Sequence, residues 1–306
     1  MKYANILEYF PMALLQKSAI LLFTVSTSLP MTAAAARRSA LLKESIMNSP
    51  TDSDPLLVVE EEETADSGGD HLLKFQSFAL WSAHILSALS VLVVLLWISA
   101  LGGLSWQEGK MKPVFNWHPL LMITAFSFMT VASLSFRFRN ENRSIKKWMH
   151  GMAWTVAALC AIVALFAVFR SHNDPAGYIA NLYSLHSWIG CAVIGLYISQ
   201  FVMGVLTFAW PVMSPKARIL KVHKFLGPFI YNCVAITILL GIQEKEGFVG
   251  CAYSVSQADT FPMKHFFDIP SVCRTSHALG ILVLGITLST NLALHDFGKE
   301  TGQHVL

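Results

Sequence analysis

Leu182-Tyr183-Ser184-Leu185-His186-Ser187-Trp188-Ile189-Gly190 opens a run that continues to Trp210 without one Asp, Glu, Lys or Arg. Crossing about 30 Å of hydrocarbon takes about 20 predominantly apolar residues in helical form. Lipid offers no partners for backbone N–H and C=O groups, so a helix, which satisfies its own, is the expected conformation. Five further predominantly apolar runs lie at Gln76 to Leu101, Val114 to Phe136, Trp148 to Phe169, Val222 to Ile242 and Val272 to His295, the last two with one cation each, Lys224 and Arg274. An all-α membrane protein with six transmembrane helices is predicted. The composition agrees: the 306 residues are 54% hydrophobic and 13% charged, with a mean hydropathy of +0.52, too apolar for an ordinary soluble domain.

A net charge of +3, without a zinc-finger, helix-turn-helix or Gly-rich phosphate-loop pattern, argues against nucleic-acid binding and phosphoryl transfer. The five cysteines contain no C-x-x-C pair and are too dispersed for a zinc site or a disulfide framework.

The loops orient the chain. Arg137, Arg139, Arg143, Lys146 and Lys147 follow the second run, and Lys216, Arg218, Lys221 and Lys224 follow the fourth. Lys110, Lys112, Arg170, Lys245, Lys264 and Arg274 are spread over the three other connections. Short loops rich in Lys and Arg stay in the cytosol, which places both termini there. Residues 76–296 are expected to form the membrane domain, residues 297–306 a cytosolic tail, and residues 1–75 a cytosolic, largely disordered extension. Within that extension, residues 12–36 resemble a signal peptide, whose cleavage would conflict with the loop charges. A start at Met47 is the alternative. Asp52 with Leu56 and Leu57 resembles an acidic dileucine sorting signal; the competing reading is a solvated acidic tail reinforced by Glu60 to Glu63. An endosomal, lysosomal or secretory-vesicle membrane is expected, with the plasma membrane as the alternative.

Eleven histidines are the anomaly in so apolar a chain, because polar groups at membrane depth are costly and are read by default as functional. His118, in Asn116-Trp117-His118-Pro119, stands at the start of the second helix, and His150 at the start of the third. His186 and His223 open the fourth and fifth. Because the chain alternates sides, His118 and His186 share the non-cytosolic level, and His150 and His223 the cytosolic one. Two separated pairs fit two haems, each iron taking axial imidazoles from facing helices of a central four-helix bundle, better than one tetrahedral zinc. A proton-coupled transporter, or a non-redox protein that packs its histidines, is the rival reading. His84, His265, His277 and His295 fall outside the layers and read as polar packing.

At these residues, and most specifically at Tyr183 to Gly190, the chain resembles the cytochrome b561 family of ascorbate-dependent transmembrane ferrireductases, over about residues 76–296. The resemblance implies two b-type haems, held by His118 with His186 and by His150 with His223. It implies a cytosolic ascorbate site in the loop after the second helix, where Lys147 matches a family lysine and Arg137, Arg139 and Arg143 are supporting candidates. His172, with Asn181 and Tyr183 nearby, matches a family histidine at the non-cytosolic acceptor site, for monodehydroascorbate or a ferric chelate. Lys221 stands where the family often has proline before its fifth-helix ligand. Cys251 and Cys273 read equally as a disulfide or as free thiols; Cys160, Cys191 and Cys233 read as helix packing. The expected enzyme passes single electrons from ascorbate across the bilayer, with a second copy of the chain as a further partner.

Overall fold

A computed structural model describes residues 55–138, 141–210, 212–251 and 269–295. Residues 12–36, Asp52, Arg139, His265 and the tail fall outside them. The chain divides after Thr64, and the contacts below belong to Ala65–Leu306. Helix α1 (Pro55–Ala100) is followed by the short α2 (Met111–Phe115), α3 (Trp117–Leu134) and a 3₁₀ turn, Ser135–Arg137. Then come α4 (Arg143–His172), a two-stranded ribbon of β1 (Asn173–Asp174) and β2 (Gly177–Tyr178), and α5 (Leu185–Gly204). Helix α5 ends in a π-helical turn, Val205–Ala209, before α6 (Lys216–Phe248) and α7 (Ser271–Leu294). Six helical stretches are long and apolar enough to cross a membrane: His71–Ala100, Met111–Arg137, Arg143–His172, Leu185–Ala209, Lys216–Phe248 and Ser271–Leu294.

Helices α1, α4 and α6 outrun the apolar stretches of the sequence at their polar ends, whereas α5 starts inside its stretch. Hydropathy marks where lipid begins, whereas the backbone ladder continues wherever residues tolerate helix. Helix α1 starts at Pro55, which suits a first helical position, and passes through Glu60 to Glu63, which are good helix formers, so it begins well before Gln76. Helix α4 starts at Arg143 because the Asn142 side chain accepts from the Ile145 backbone N–H at 2.9 Å. The β1–β2 ribbon pairs Asn173 with Tyr178 and Asp174 with Gly177; two residues per strand carry no alternation for a sequence reading to detect.

Packing is closest between α3 and α4, then between α5 and α6, with α2 on α4 and α6 on α7 next. Helix α4 turns a stripe of small buried residues, Ala153, Ala157, Ala161, Ala164 and Ala167, inward, which lets backbones approach closely where lipid gives no hydrophobic drive. At the centre, Phe126 of α3 stacks on Tyr231 of α6 at 5.0 Å between ring centroids. The buried Tyr231 hydroxyl lies 2.8 Å from the Thr130 hydroxyl and 3.0 Å from that of Thr290, tying α3, α6 and α7. Val94, Trp97 and Ile98 of α1 join the same core. Apolar side chains such as Leu92, Ile162, Phe166 and Leu284 face outward, as lipid requires.

The two ends of the bundle are fastened differently. At one, Arg137 donates to the Leu294 carbonyl, and the Gln76 amide donates to the Ala293 and His295 carbonyls at 3.1 and 2.9 Å, satisfying the last turn of α7. At the other, a disulfide joins Cys251 to Cys273. There the Ser276 hydroxyl donates to Glu246 at 2.5 Å, and His277 lies 3.4 Å from the same carboxylate.

Candidate functional site

Each of α3, α4, α5 and α6 carries one of the four histidines in its first turns. The structure brings them together as two pairs. His118 and His186 have ring centroids 6.2 Å apart, and His150 and His223 6.1 Å apart. With a metal–imidazole bond of about 2.0–2.1 Å and each ring's half-width behind it, two imidazoles on opposite sides of one iron lie on the order of 6 Å apart. The donor set therefore fits a bis-imidazole iron at each level.

The ring nitrogens fit as well. His118 Nδ1 lies 3.2 Å from the Ala164 carbonyl, His150 Nδ1 2.9 Å from the Ala132 carbonyl, and His186 Nδ1 2.9 Å from the Thr237 carbonyl. A carbonyl only accepts, so Nδ1 carries the proton in all three and Nε2 keeps its lone pair for a metal.

A repeat governs these contacts. Ala132 is fourteen residues after His118 on α3, Ala164 fourteen after His150 on α4, and Thr237 fourteen after His223 on α6. Fourteen residues advance about 21 Å along a helix and return within about 40° of the same face. Each helix thus presents an imidazole to one pair and, fourteen residues on, a backbone anchor to the other. On α5 the residue fourteen after His186 is Gln200, whose Nε2 donates to the His223 carbonyl at 2.8 Å. His223 Nδ1 and Gln200 Oε1 are both buried with no hydrogen-bond partner.

Glycines make room for two of the rings. A Cβ on Gly241 would stand 2.7 Å from His186 Cε1, and one on Gly204 3.3 Å from His223 Cε1. Gly241 is one turn beyond Thr237, so the ring that bonds the Thr237 carbonyl lies over the Gly241 Cα.

Beyond the His118–His186 pair, three expected residues gather. His172, the last residue of α4, lies beside the Asn181 side chain, and its ring centroid is 6.2 Å from that of Tyr183. The backbone reaches Tyr183 through Leu182, at φ 56°, a left-handed conformation uncommon for a bulky residue. Tyr183 donates its hydroxyl to Glu244, and Ser184 Oγ donates to the same carboxylate at 2.8 Å. Burial first, and Glu244 second, push the Tyr183 hydroxyl above the usual phenol range, so it remains a donor. Ser184 also forms a capping box with Ser187, fixing the helix start two residues before His186. The next residue on α6, Lys245, sets its ammonium 4.4 Å from the Phe115 ring centroid, and Phe115 lies 5.8 Å from His118.

At the opposite end, Lys147 and Arg143 are exposed on the first turns of α4. Arg137, by contrast, is engaged with the end of α7. Sequence reading missed Glu244, Gln200, Gly204 and Gly241. Glu244 in Gln243-Glu244-Lys245-Glu246 carried a signal, as an acid at the edge of a transmembrane run; the glycines and Gln200 are meaningful only once their partners are known.

Residues 117–249 match the family model for eukaryotic cytochrome b561. The chain is 37% identical over 213 residues to the plasma membrane ascorbate-dependent reductase CYBRD1 of Rattus norvegicus, covering 67% of this chain and 70% of the relative. It is 36% identical over 171 residues to transmembrane ascorbate ferrireductase 1 of Arabidopsis thaliana, covering 55% and 71%. Over 174 residues it is 33% identical to ascorbate-specific transmembrane electron transporter 1 of Zea mays, covering 55% and 73%. Six apolar helices, two imidazole pairs and these relatives agree, and the chain belongs to the eukaryotic cytochrome b561 family.

Proposed function

We propose that the chain is a transmembrane oxidoreductase that carries single electrons from cytosolic ascorbate, through two bis-histidine b haems, to monodehydroascorbate or a ferric chelate on the other side. The observation that carries the reading is the pair of imidazole pairs, at 6.2 and 6.1 Å, on four helices of a chain whose relatives are named ascorbate-dependent reductases and ferrireductases. Each haem, when bound, would supply a reversible one-electron couple.

The protein's share is holding, orienting and recognising. His118 with His186, and His150 with His223, would hold the two haem irons, and the carbonyls of Ala164, Thr237 and Ala132 orient three of the rings. Lys147, three residues before His150, offers an ammonium to the ascorbate monoanion, with Arg143 and Arg139 as further cations. Arg137 contributes to that field from its place at the end of α7. On the other face, His172, Asn181 and Tyr183 offer hydrogen bonds to the acceptor.

Oxidised and dithionite-reduced visible spectra of the purified protein test the reading: absence of a low-spin b-type haem signal would sink it. His186→Ala and His150→Ala are each expected to remove one of two haems. Lys147→Ala is expected to slow reduction by ascorbate several-fold while sparing reduction by dithionite; an unchanged ascorbate rate would clear Lys147 of the role. Proteoliposomes enclosing a ferric chelate or monodehydroascorbate, supplied with external ascorbate, separate the two acceptors.

A further inference from the structure

Three of the four candidate ligands are anchored through Nδ1 to a backbone carbonyl of a neighbouring helix, and His223 is not. Its Nδ1 is buried without a partner. The fourteen-residue repeat puts Gln200 in the slot that Ala132, Ala164 and Thr237 fill elsewhere. Gln200 is itself buried, already reaches His223 by donating Nε2 to its carbonyl at 2.8 Å, and leaves Oε1 buried and unpaired. A third such atom belongs to the same helix end: Thr207 Oγ1, fully buried and likewise unpaired. Contacts to the His223 ring bracket it along the chain, with Gly204 close on one side and Phe208 at 5.5 Å between centroids on the other. Thr207 sits inside the π-helical turn Val205–Ala209, which departs from α-helical phase where α5 meets His223.

One donor and two acceptors, all buried, are the partners a single ordered water needs, and leaving all three unpaired would be costly. We propose that Gln200 is the positioning residue of His223, holding its backbone through Nε2 and its Nδ1–H through Oε1 by way of one buried water shared with Thr207 Oγ1. This rests on His150 and His223 being a haem-ligand pair. An acceptor on Nδ1–H raises the electron donation of the imidazole and favours the ferric state. Gln200 therefore tunes the His150–His223 site through a side chain, whereas the other anchors are backbone and beyond the reach of substitution.

The test is a redox titration of the full-length two-haem protein, followed by visible and electron paramagnetic resonance spectra, with the His150–His223 haem identified as the one lost in His150→Ala. Gln200→Met, of similar shape but without an acceptor oxygen or amide donor, is expected to raise the midpoint potential of that haem and leave the His118–His186 haem unmoved. Gln200→Glu keeps an acceptor oxygen and is expected to return the potential to the native value or below. Thr207→Val is expected to shift it in the same direction as Gln200→Met, by less. Unmoved potentials, equal shifts in both haems, or shifts of one sign for Gln200→Met and Gln200→Glu would overturn the proposal. Should Gln200→Met lose the haem, its retention in Gln200→Glu supports the assignment and its loss from both overturns it. A native protein without haem would instead refute the bis-histidine reading.

Discussion

The most exacting residues around the imidazoles have no side chain of their own. Gly241 gives up its Cβ because the His186 ring lies where that carbon would be, at 2.7 Å from Cε1, a distance that forces ring or backbone to move. Gly204 faces His223 at a less severe 3.3 Å. Overpacking of this kind costs about 1–3 kcal/mol, and here the strain falls on a ring whose direction matters. Gly241→Ala is expected to lose the His118–His186 haem selectively, seen as a fall from two haems per chain toward one. Gly204→Ala is expected to keep both haems and perturb only the spectrum of the His150–His223 haem. Equal haem loss in the two variants would contradict the ranking by distance. These glycines were not legible as site residues, because a glycine in a transmembrane run announces only small size. The histidines were legible because four successive apolar runs each carry one near the end at which the run begins.

At the scale of elements, side-chain patterns revealed which helices carry the paired histidines but not how they hold one another. Ala132, Ala164 and Thr237 contribute carbonyls, which every residue has, so only the assembled helices disclose the fourteen-residue register. The last turn of α6 was similarly hidden. Successive helical residues point about 100° apart, so Glu244, Lys245 and Glu246 reach three different neighbours: the start of α5, Phe115 of α2 and Ser276 of α7. The loop-charge reading counted Lys245 merely as one more cation. Helix-to-helix joints of this kind are modest in energy, because hydrogen bonds between transmembrane helices average about 0.6 kcal/mol. Tyr231→Phe, which severs the links to Thr130 and Thr290, is accordingly expected to cost about 1 kcal/mol. Both haem spectra should stay intact. Unfolding in mixed detergent measures the cost, and a change of several kcal/mol would mean that this triad does more than join α3, α6 and α7.

For the whole molecule, two independent chemistries bear on which way the bundle faces. Nine Lys and Arg residues lie in the two connections at the His150–His223 end, and such loops stay in the cytosol. The Cys251–Cys273 bond stands at the other end, where α6 finishes and α7 begins, and disulfides persist in oxidising compartments. Neither signal knows of the other, yet both favour the orientation we propose, with the His118–His186 end away from the cytosol, which delivery of cytosolic reducing equivalents would require. An impermeant maleimide applied to sealed vesicles of known sidedness checks this orientation. Cys251 and Cys273 are expected to label only after reduction and only from the non-cytosolic face, whereas a cysteine introduced by Ser144→Cys, at the exposed start of α4, labels from the cytosolic face alone. Labelling of both from one side, or of Cys251 without reductant, would overturn the orientation. The bond closes a 22-residue separation, for which chain entropy assigns about 3 kcal/mol. The Glu246–Ser276 contact still joins α6 to α7 without it, so Cys251→Ser with Cys273→Ser is expected to lower the unfolding midpoint while both haems and electron transfer survive.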